Sequence, residues 1–144
     1  MWIPVSNADQ RALGIYLRHY SARKNGATQR GAKNWNRFTS PGESMTLLTP
    51  LCDALFIWIK QKYRLDRQVG VNCAVFRNEG TVLSSDLIRE ASDMAEARWP
   101  DERLYTYVNP RRIRSTNPGC CFLKAGWRVC GESKGGLIIL EKVR

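Results

Sequence analysis

Apolar and polar positions alternate along this chain with several distinct periods, and each period predicts a different element. Between residues 84 and 99, Leu87, Ile88, Ala91, Met94 and Ala95 recur at helical spacing, with Ser84 or Ser85 placed to cap the start and Pro100 to end it. Residues 69–76 are apolar at nearly every position, as expected of a central strand covered on both faces. Residues 45–49 and 54–59 read as a hairpin turning through residues 50–53, with a basic connector over 60–67. A strand at 104–109 follows the main helix, and a strand, helix, strand unit of that length implies parallel neighbours joined by a right-handed crossover. Pro118 opens a short helix to about Ala125, Gly126 ends it, and a hairpin of 127–130 with 137–143 turns through Ser133, Lys134, Gly135 and Gly136. Near the N-terminus, Asn7 or Ser6 can cap a helix to about His19, with Ala8, Leu13, Ile15, Tyr16 and Tyr20 on one face. Residues 21–42 show neither period and read as a long loop. The predicted order is helix, hairpin, strand, helix, strand, helix, hairpin, which is an α/β (α+β) arrangement around a mixed sheet.

A chain of 144 residues fits a single domain, residues 1–144, and at that size roughly two-thirds of the unfolded surface becomes buried. The apolar share of 43% and charged share of 25% argue against disorder. The longest apolar runs, 54–59 and 137–140, fall far short of the roughly 20 residues that span a bilayer, so no membrane association is expected. Met1-Trp2-Ile3-Pro4 lacks the pattern of a secretory leader, which makes the cytoplasm the expected location. Cys52, Cys73, Cys120, Cys121 and Cys130 are odd in number and read as reduced thiols used as small apolar fillers. With one histidine, His19, and no spaced cysteine pairs, no metal site is expected.

Charge changes the picture most. The chain holds 23 Lys and Arg against 13 Asp and Glu, a formal net charge of +10, and no acidic residue occurs between Arg11 and Gly42. That stretch carries Arg11, Arg18, Arg23, Lys24, Arg30, Lys33 and Arg37 interleaved with Trp35 and Phe38. Lys60, Lys62, Arg64 and Arg67 form a second cluster, and Arg111, Arg112 and Arg114 a third. Basic groups supply affinity for phosphate and aromatic rings offer stacking, so nucleic acid, DNA first, is the expected partner. Arg23, Lys24, Arg30, Lys33, Trp35, Arg37, Arg111, Arg112 and Arg114 are the candidate contacts.

Two motifs give the chemistry. Arg77-Asn78-Glu79-Gly80 joins the apolar strand to the main helix, and Phe122-Leu123-Lys124-Ala125-Gly126-Trp127 ends the last helix. Amides at a helix N-terminus, with its positive dipole end, suit a diphosphate, and Gly80, Ser84 and Ser85 fit that use; both serines fit simple capping equally. In element order and in these motifs the chain resembles the Gcn5-related N-acetyltransferase superfamily, which implies a fold built to bind acetyl-coenzyme A or another acyl-coenzyme A. The first motif matches half of the family's Gln/Arg-x-x-Gly-x-Gly/Ala loop, with Val82 departing from it. The second is similar to Tyr-x-Lys-x-Gly-Phe, with Phe122 in place of the tyrosine that protonates the departing thiolate. By position, Cys120, Cys121, Tyr105, Tyr107 and Ser85 are the candidates for that role, with core packing the favoured use of each cysteine.

A nearer resemblance is to Mom-like phage proteins, which modify adenine amino groups in DNA. His19-Tyr20-Ser21, Ser84-Ser85-Asp86-Leu87-Ile88 and the stretch from Thr106-Tyr107-Val108-Asn109-Pro110 to Trp127 carry it. It implies DNA base acylation in the host cytoplasm, with His19, Tyr20, Ser85, Tyr107 and Asn109 as catalytic residues. Phe76, Arg77, Gly80, Ser84, Ser85, Asn117, Phe122 and Lys124 would hold the cofactor. His19 fits a general base or a surface histidine, and Asn72 fits a ligand contact or a satisfied bulge. Asp53 and Glu79 are the nearest spare carboxylates. Acylation of a protein lysine or small amine, or an inactive module that kept the fold, are the rival readings.

Overall fold

A computed structural model describes residues 1–18, 23–24, 27–28, 42–61, 68–110 and 119–143, with backbone alone for 18, 23–24, 27–28 and 61. The elements in chain order are β1 (Ile3–Val5), α1 (Gln10–Arg18), β2 (Arg23–Lys24), β3 (Ala27–Thr28), β4 (Gly42–Leu48), β5 (Ala54–Gln61), β6 (Val71–Asn78), α2 (Ser84–Arg98), β7 (Leu104–Val108), α3 (Cys120–Lys124), β8 (Trp127–Glu132) and β9 (Ile138–Lys142). Seven strands form one mixed sheet in the order β1, β4, β5, β6, β7, β9, β8, and β2 pairs with β3 as a separate ribbon. All neighbours in the large sheet are antiparallel except β6 and β7. The α/β class with a mixed sheet holds. Strand β1 was not anticipated, and the β2–β3 ribbon falls inside the stretch read as an irregular loop.

Each face of the sheet buries its own apolar set. On one side α2 and α3 cover Leu47, Phe56, Trp58, Val71, Cys73, Leu104, Val108 and Leu140 with Leu87, Ile88, Ala91, Ala95 and Phe122. On the other, Ala12, Ile15 and Tyr16 of α1 cover Leu48, Leu55, Ile57, Ile59 and Val75. The indole N–H of Trp58 donates to the carbonyl of Ala91 at 3.0 Å, so the largest buried side chain also fixes the height of α2 above the sheet.

The ends of the helices differ from expectation. Asp9, not Asn7 or Ser6, caps α1: its Oδ1 accepts from the amides of Arg11 (2.9 Å) and Ala12 (3.2 Å). Helix α2 has Leu83 at its cap position with no side-chain cap, because Ser84 and Ser85 already lie in the first turn. All five cysteines are free, but only Cys73 is fully buried, and Cys130 is exposed, so the filler reading fits Cys73 and fails for Cys130.

Candidate functional site

The parallel pair at the centre of the sheet is short. β6 and β7 are in register only at Val71 with Leu104, Asn72 with Tyr105 and Cys73 with Thr106. Beyond Cys73 the two strands share no ladder, although β6 runs on to Asn78 and β7 to Val108. A bulge coincides with the parting: Ile57 faces Val75 and Trp58 faces Cys73, so Ala74 is the extra residue. Bulges sharpen twist and end pairing, which accounts for a fork at this point. Thr106 closes its base, its hydroxyl donating to the carbonyl of Cys73 at 3.0 Å.

On the α2 side the fork is bordered by aromatic and thiol groups. Phe76 packs against Phe56 (5.3 Å between centroids) and edge-on to Phe122 (6.1 Å), which in turn meets Trp127 at 4.9 Å. Burial pushes the thiol of Cys73 far above its ordinary range and raises that of Cys121 as well. Both are therefore protonated at neutral pH. Ser85 is buried in the first turn of α2, and Lys124 is exposed at the end of α3, where its carbonyl accepts from the guanidinium of Arg89.

The connection from β6 to α2 is organised by Asn78. Its Nδ2 donates to the carbonyl of Val82 (2.7 Å) and to the hydroxyl of Ser84 (3.0 Å), while its Oδ1 accepts from the amide of Gly80 (2.9 Å). The amide of Glu79 donates to the carbonyl of Asp53 at 2.7 Å. Gly80 has its glycine for a packing reason, since a Cβ there would stand 2.2 Å from Oδ2 of Asp53. The amides of Gly80 and Glu79 are thus engaged within the protein. Those of Thr81, Val82, Ser84 and Ser85 have no hydrogen-bond partner among the described residues. Arg77 is tied to Glu79 at 2.7 Å, and Asp53 accepts from the hydroxyl of Thr49 at 2.6 Å. Asn78 and Thr106 were quoted within motifs but given no role by the sequence reading, and Asp53, named there as a spare carboxylate, is here engaged at the turn. The Asn78-x-Gly80 spacing, typical of a side chain that closes its own turn, was the available signal.

On the opposite face, Tyr107 is half-buried and meets Tyr105 edge-on at 5.9 Å and 83°. Asn109 is half-buried just beyond β7. Asn72 lies on the same face, and its Oδ1 is buried without a hydrogen-bond partner among the described residues. Farther along, Arg103 clamps Glu141 (2.7 Å), Gln68 (3.0 Å) and the thiol of Cys130 (3.3 Å), and Arg128 grips the other oxygen of Glu141 at 2.7 Å. These two guanidinium groups hold the Glu141 carboxyl below its usual range. The shared Glu141 carboxylate on β9 thereby ties Arg103, just before β7, to Arg128 on β8.

His19, Tyr20, Arg30, Lys33, Trp35, Arg37, Arg111, Arg112, Arg114 and Asn117 lie outside the described residues, as do Lys62, Arg64 and Arg67. Arg23 and Lys24 fall in β2, whose side chains also lie outside them. Among the described residues no group of His, Cys, Asp and Glu is gathered to hold a metal ion, and no helix is long and apolar enough to cross a membrane. Comparison of the chain with protein-family models, curated proteins and solved structures finds no match.

Proposed function

We propose that the protein is an acyl-coenzyme A-dependent N-acyltransferase with a Gcn5-related fold, acting on the bases of nucleic acid in the manner of the Mom-like phage proteins. One observation carries the reading: among the described residues the one parallel pair of the large sheet parts after three residues, and β6 runs on from that fork to a helix N-terminus whose first amides have no partner among the described residues. Such a gap admits the slender arm of an acyl thioester, and the amides of Thr81, Val82, Ser84 and Ser85 suit its diphosphate. In the transfer, the acceptor amine forms a bond to the thioester carbonyl carbon and loses a proton. The carbon–sulfur bond breaks, and the coenzyme leaves as a thiol after taking up a proton. Cys121, half-buried against the core beneath α3 and kept protonated by burial, is our candidate for that proton in place of the tyrosine missing at Phe122.

Charge supports nucleic acid as the acceptor. Of the 23 Lys and Arg, thirteen lie in 18–41, 62–67, 111–118 and at Arg144, alongside one acidic residue, Asp66. The remainder of the chain holds ten basic and twelve acidic residues. The whole positive excess therefore lies in the stretch from the last residue of α1 to β4, in the segments between β5 and β6 and between β7 and α3, and at the last residue, instead of being spread as a general solubilising charge.

Incubation of the protein with acetyl-coenzyme A and DNA, followed by mass analysis of the digested nucleosides, tests this. An acylated nucleoside is the expected product. Acylated protein or small amine in its place would move the acceptor, and no product at all, with no saturable coenzyme A binding by calorimetry, would reject the reading. A second reading, an inactive binding module, is favoured by the engagement of the Gly80 amide by Asn78 and the carboxylate of Asp53 beside it, since both oppose a diphosphate at that point.

A further inference from the structure

We infer that Cys130 is a site of reversible thiol modification, and that the cavity around it takes an acidic, amino-acid-bearing disulfide of the oxidised glutathione class. The site lies on the sheet face turned away from α2, because Arg128 and Glu141 follow Trp127 and Leu140, which face that helix. It stands independently of the acyltransferase reading. An open cavity of about 620 Å³ is lined there by Gln68, Arg103, Arg128, Cys130, Glu132 and Glu141 among others. That volume lies within the range of small-ligand sites. Strand β8 delivers the thiol. Val129 pairs with Leu140 and Gly131 with Ile139, so Cys130 is an extra residue with no counterpart on β9. A bulge of this kind re-aims a side chain, and here the sulfur accepts from Nη2 of Arg103 at 3.3 Å.

The surroundings favour this thiol over the other four. Cys73 is buried, Cys52, Cys120 and Cys121 are half-buried, and Cys130 is exposed. Burial raises the thiols of Cys73 and Cys121, which leaves less of the reactive anion there. Cys130 instead has a cation within hydrogen-bonding distance of its sulfur, the electropositive and accessible setting in which cysteines react. The cavity also holds charge that the fold has not used up. Arg128 spends Nε (2.9 Å) and Nη2 (2.7 Å) on Glu141, while its Nη1 has no partner among the described residues. Glu132 is exposed at the end of β8 and lines the same cavity. Each half of oxidised glutathione carries carboxylates and an ammonium group, so Arg128 meets a carboxylate and Glu132 the ammonium. In the exchange, Cys130 gives its proton to water and its thiolate attacks one sulfur of the disulfide. A new S–S bond forms at Cys130, the original one breaks, and the second half leaves as a thiolate. The disulfide is the only oxidant required, and a reducing thiol reverses the step.

The test is the rate of adduct formation on the reduced protein at neutral pH, followed by intact mass and peptide mapping. Oxidised glutathione, dithiodiglycolate (carboxylates only), cystamine (ammonium groups only) and bis-hydroxyethyl disulfide (uncharged) are compared at equal concentration. Cys130 should carry the first adduct, form it fastest with oxidised glutathione, and release it to dithiothreitol. Arg128→Gln and Glu132→Gln should each slow the glutathione reaction about fivefold, the effect of one charge at close range, and leave the uncharged disulfide unaffected. General attraction of an acidic reagent to a basic protein predicts the opposite sign for Glu132→Gln. Glu132 is exposed, so that variant carries the test if Arg128→Gln does not fold. A first adduct on another cysteine, any of the other three disulfides reacting as fast as oxidised glutathione, or an unchanged or faster glutathione reaction in Glu132→Gln would overturn the proposal.

Discussion

Single side chains do more in this protein than their types announce. Asp9 is both the cap of α1 and the partner of Arg11, whose side-chain hydrogen bond holds the Asp9 carboxyl down at about 2. A depressed carboxyl stabilises the fold above its unfolded value near 3.8, and that contribution is lost as pH falls toward 2. Asp9→Ala should therefore lower stability by about 1 kcal/mol in urea unfolding at pH 7, with the difference shrinking in acid. Gly80 and Asp53 form a tighter test. Gly80→Ala should destabilise the protein, and Asp53→Gly introduced with it should restore much of the loss, because the Cβ and the carboxylate compete for one space. Recovery in thermal melts would also separate packing at Gly80 from any contact with a diphosphate. Two of the four tryptophans in this core, Trp58 and Trp127, should likewise differ. The Trp58 indole donates to Ala91, whereas the buried Nε1 of Trp127 has no partner among the described residues. Trp58→Phe should cost more than Trp127→Phe by about 1–2 kcal/mol, measured by chemical denaturation.

Among the elements, β6 shows most clearly how a local irregularity decides what a strand can present. An unbroken alternation from Val71 would turn Val75 toward α2 and Phe76 toward α1. The extra residue at Ala74 reverses this, giving Val75 to the α1 side and Phe76 to the ring stack with Phe56 and Phe122. The sequence shows apolar residues at nearly all of these positions and so conceals which face each one serves. Helix α2 was legible because its apolar spacing and Pro100 are both local signals, whereas its start was misplaced by one turn position because Ser84 is held by Asn78 and not used as a cap. Hydrogen exchange should report on the same junction. Amides at Thr81, Val82, Ser84 and Ser85 should exchange rapidly in the free protein and slow on saturation with coenzyme A, while those at Val71 and Cys73 stay protected throughout.

Taken whole, the molecule separates its charge from its framework. The strands of the large sheet with α2 and α3 are close to neutral, and the excess lies in the stretch from Arg18 to β4, in two further connecting segments and at Arg144. Neutralising about five phosphates would give a slope of about −4 for log affinity against log salt. Replacing Arg111, Arg112 and Arg114 together by Gln should make that slope shallower by up to about 3 and leave the melting temperature unchanged. A salt response that is flat in the wild type would remove nucleic acid as a partner.

Composition, spacing and charge along the chain were enough to specify a mixed α/β domain, the parallel unit around α2, and the segregation of basic residues. Each of these depends on interactions that are local or on simple counts. The fork, the engagement of Gly80 by Asn78, the closeness of Asp53 to that turn and the Asn72 Oδ1 without a partner among the described residues were not legible. They arise where segments distant in sequence meet: β5 sets the bulge in β6, the β4–β5 turn delivers Asp53, and β7 supplies the hydroxyl that closes the fork. Pairing register and side-chain proximity are properties of the assembled sheet, and no single stretch of residues contains them.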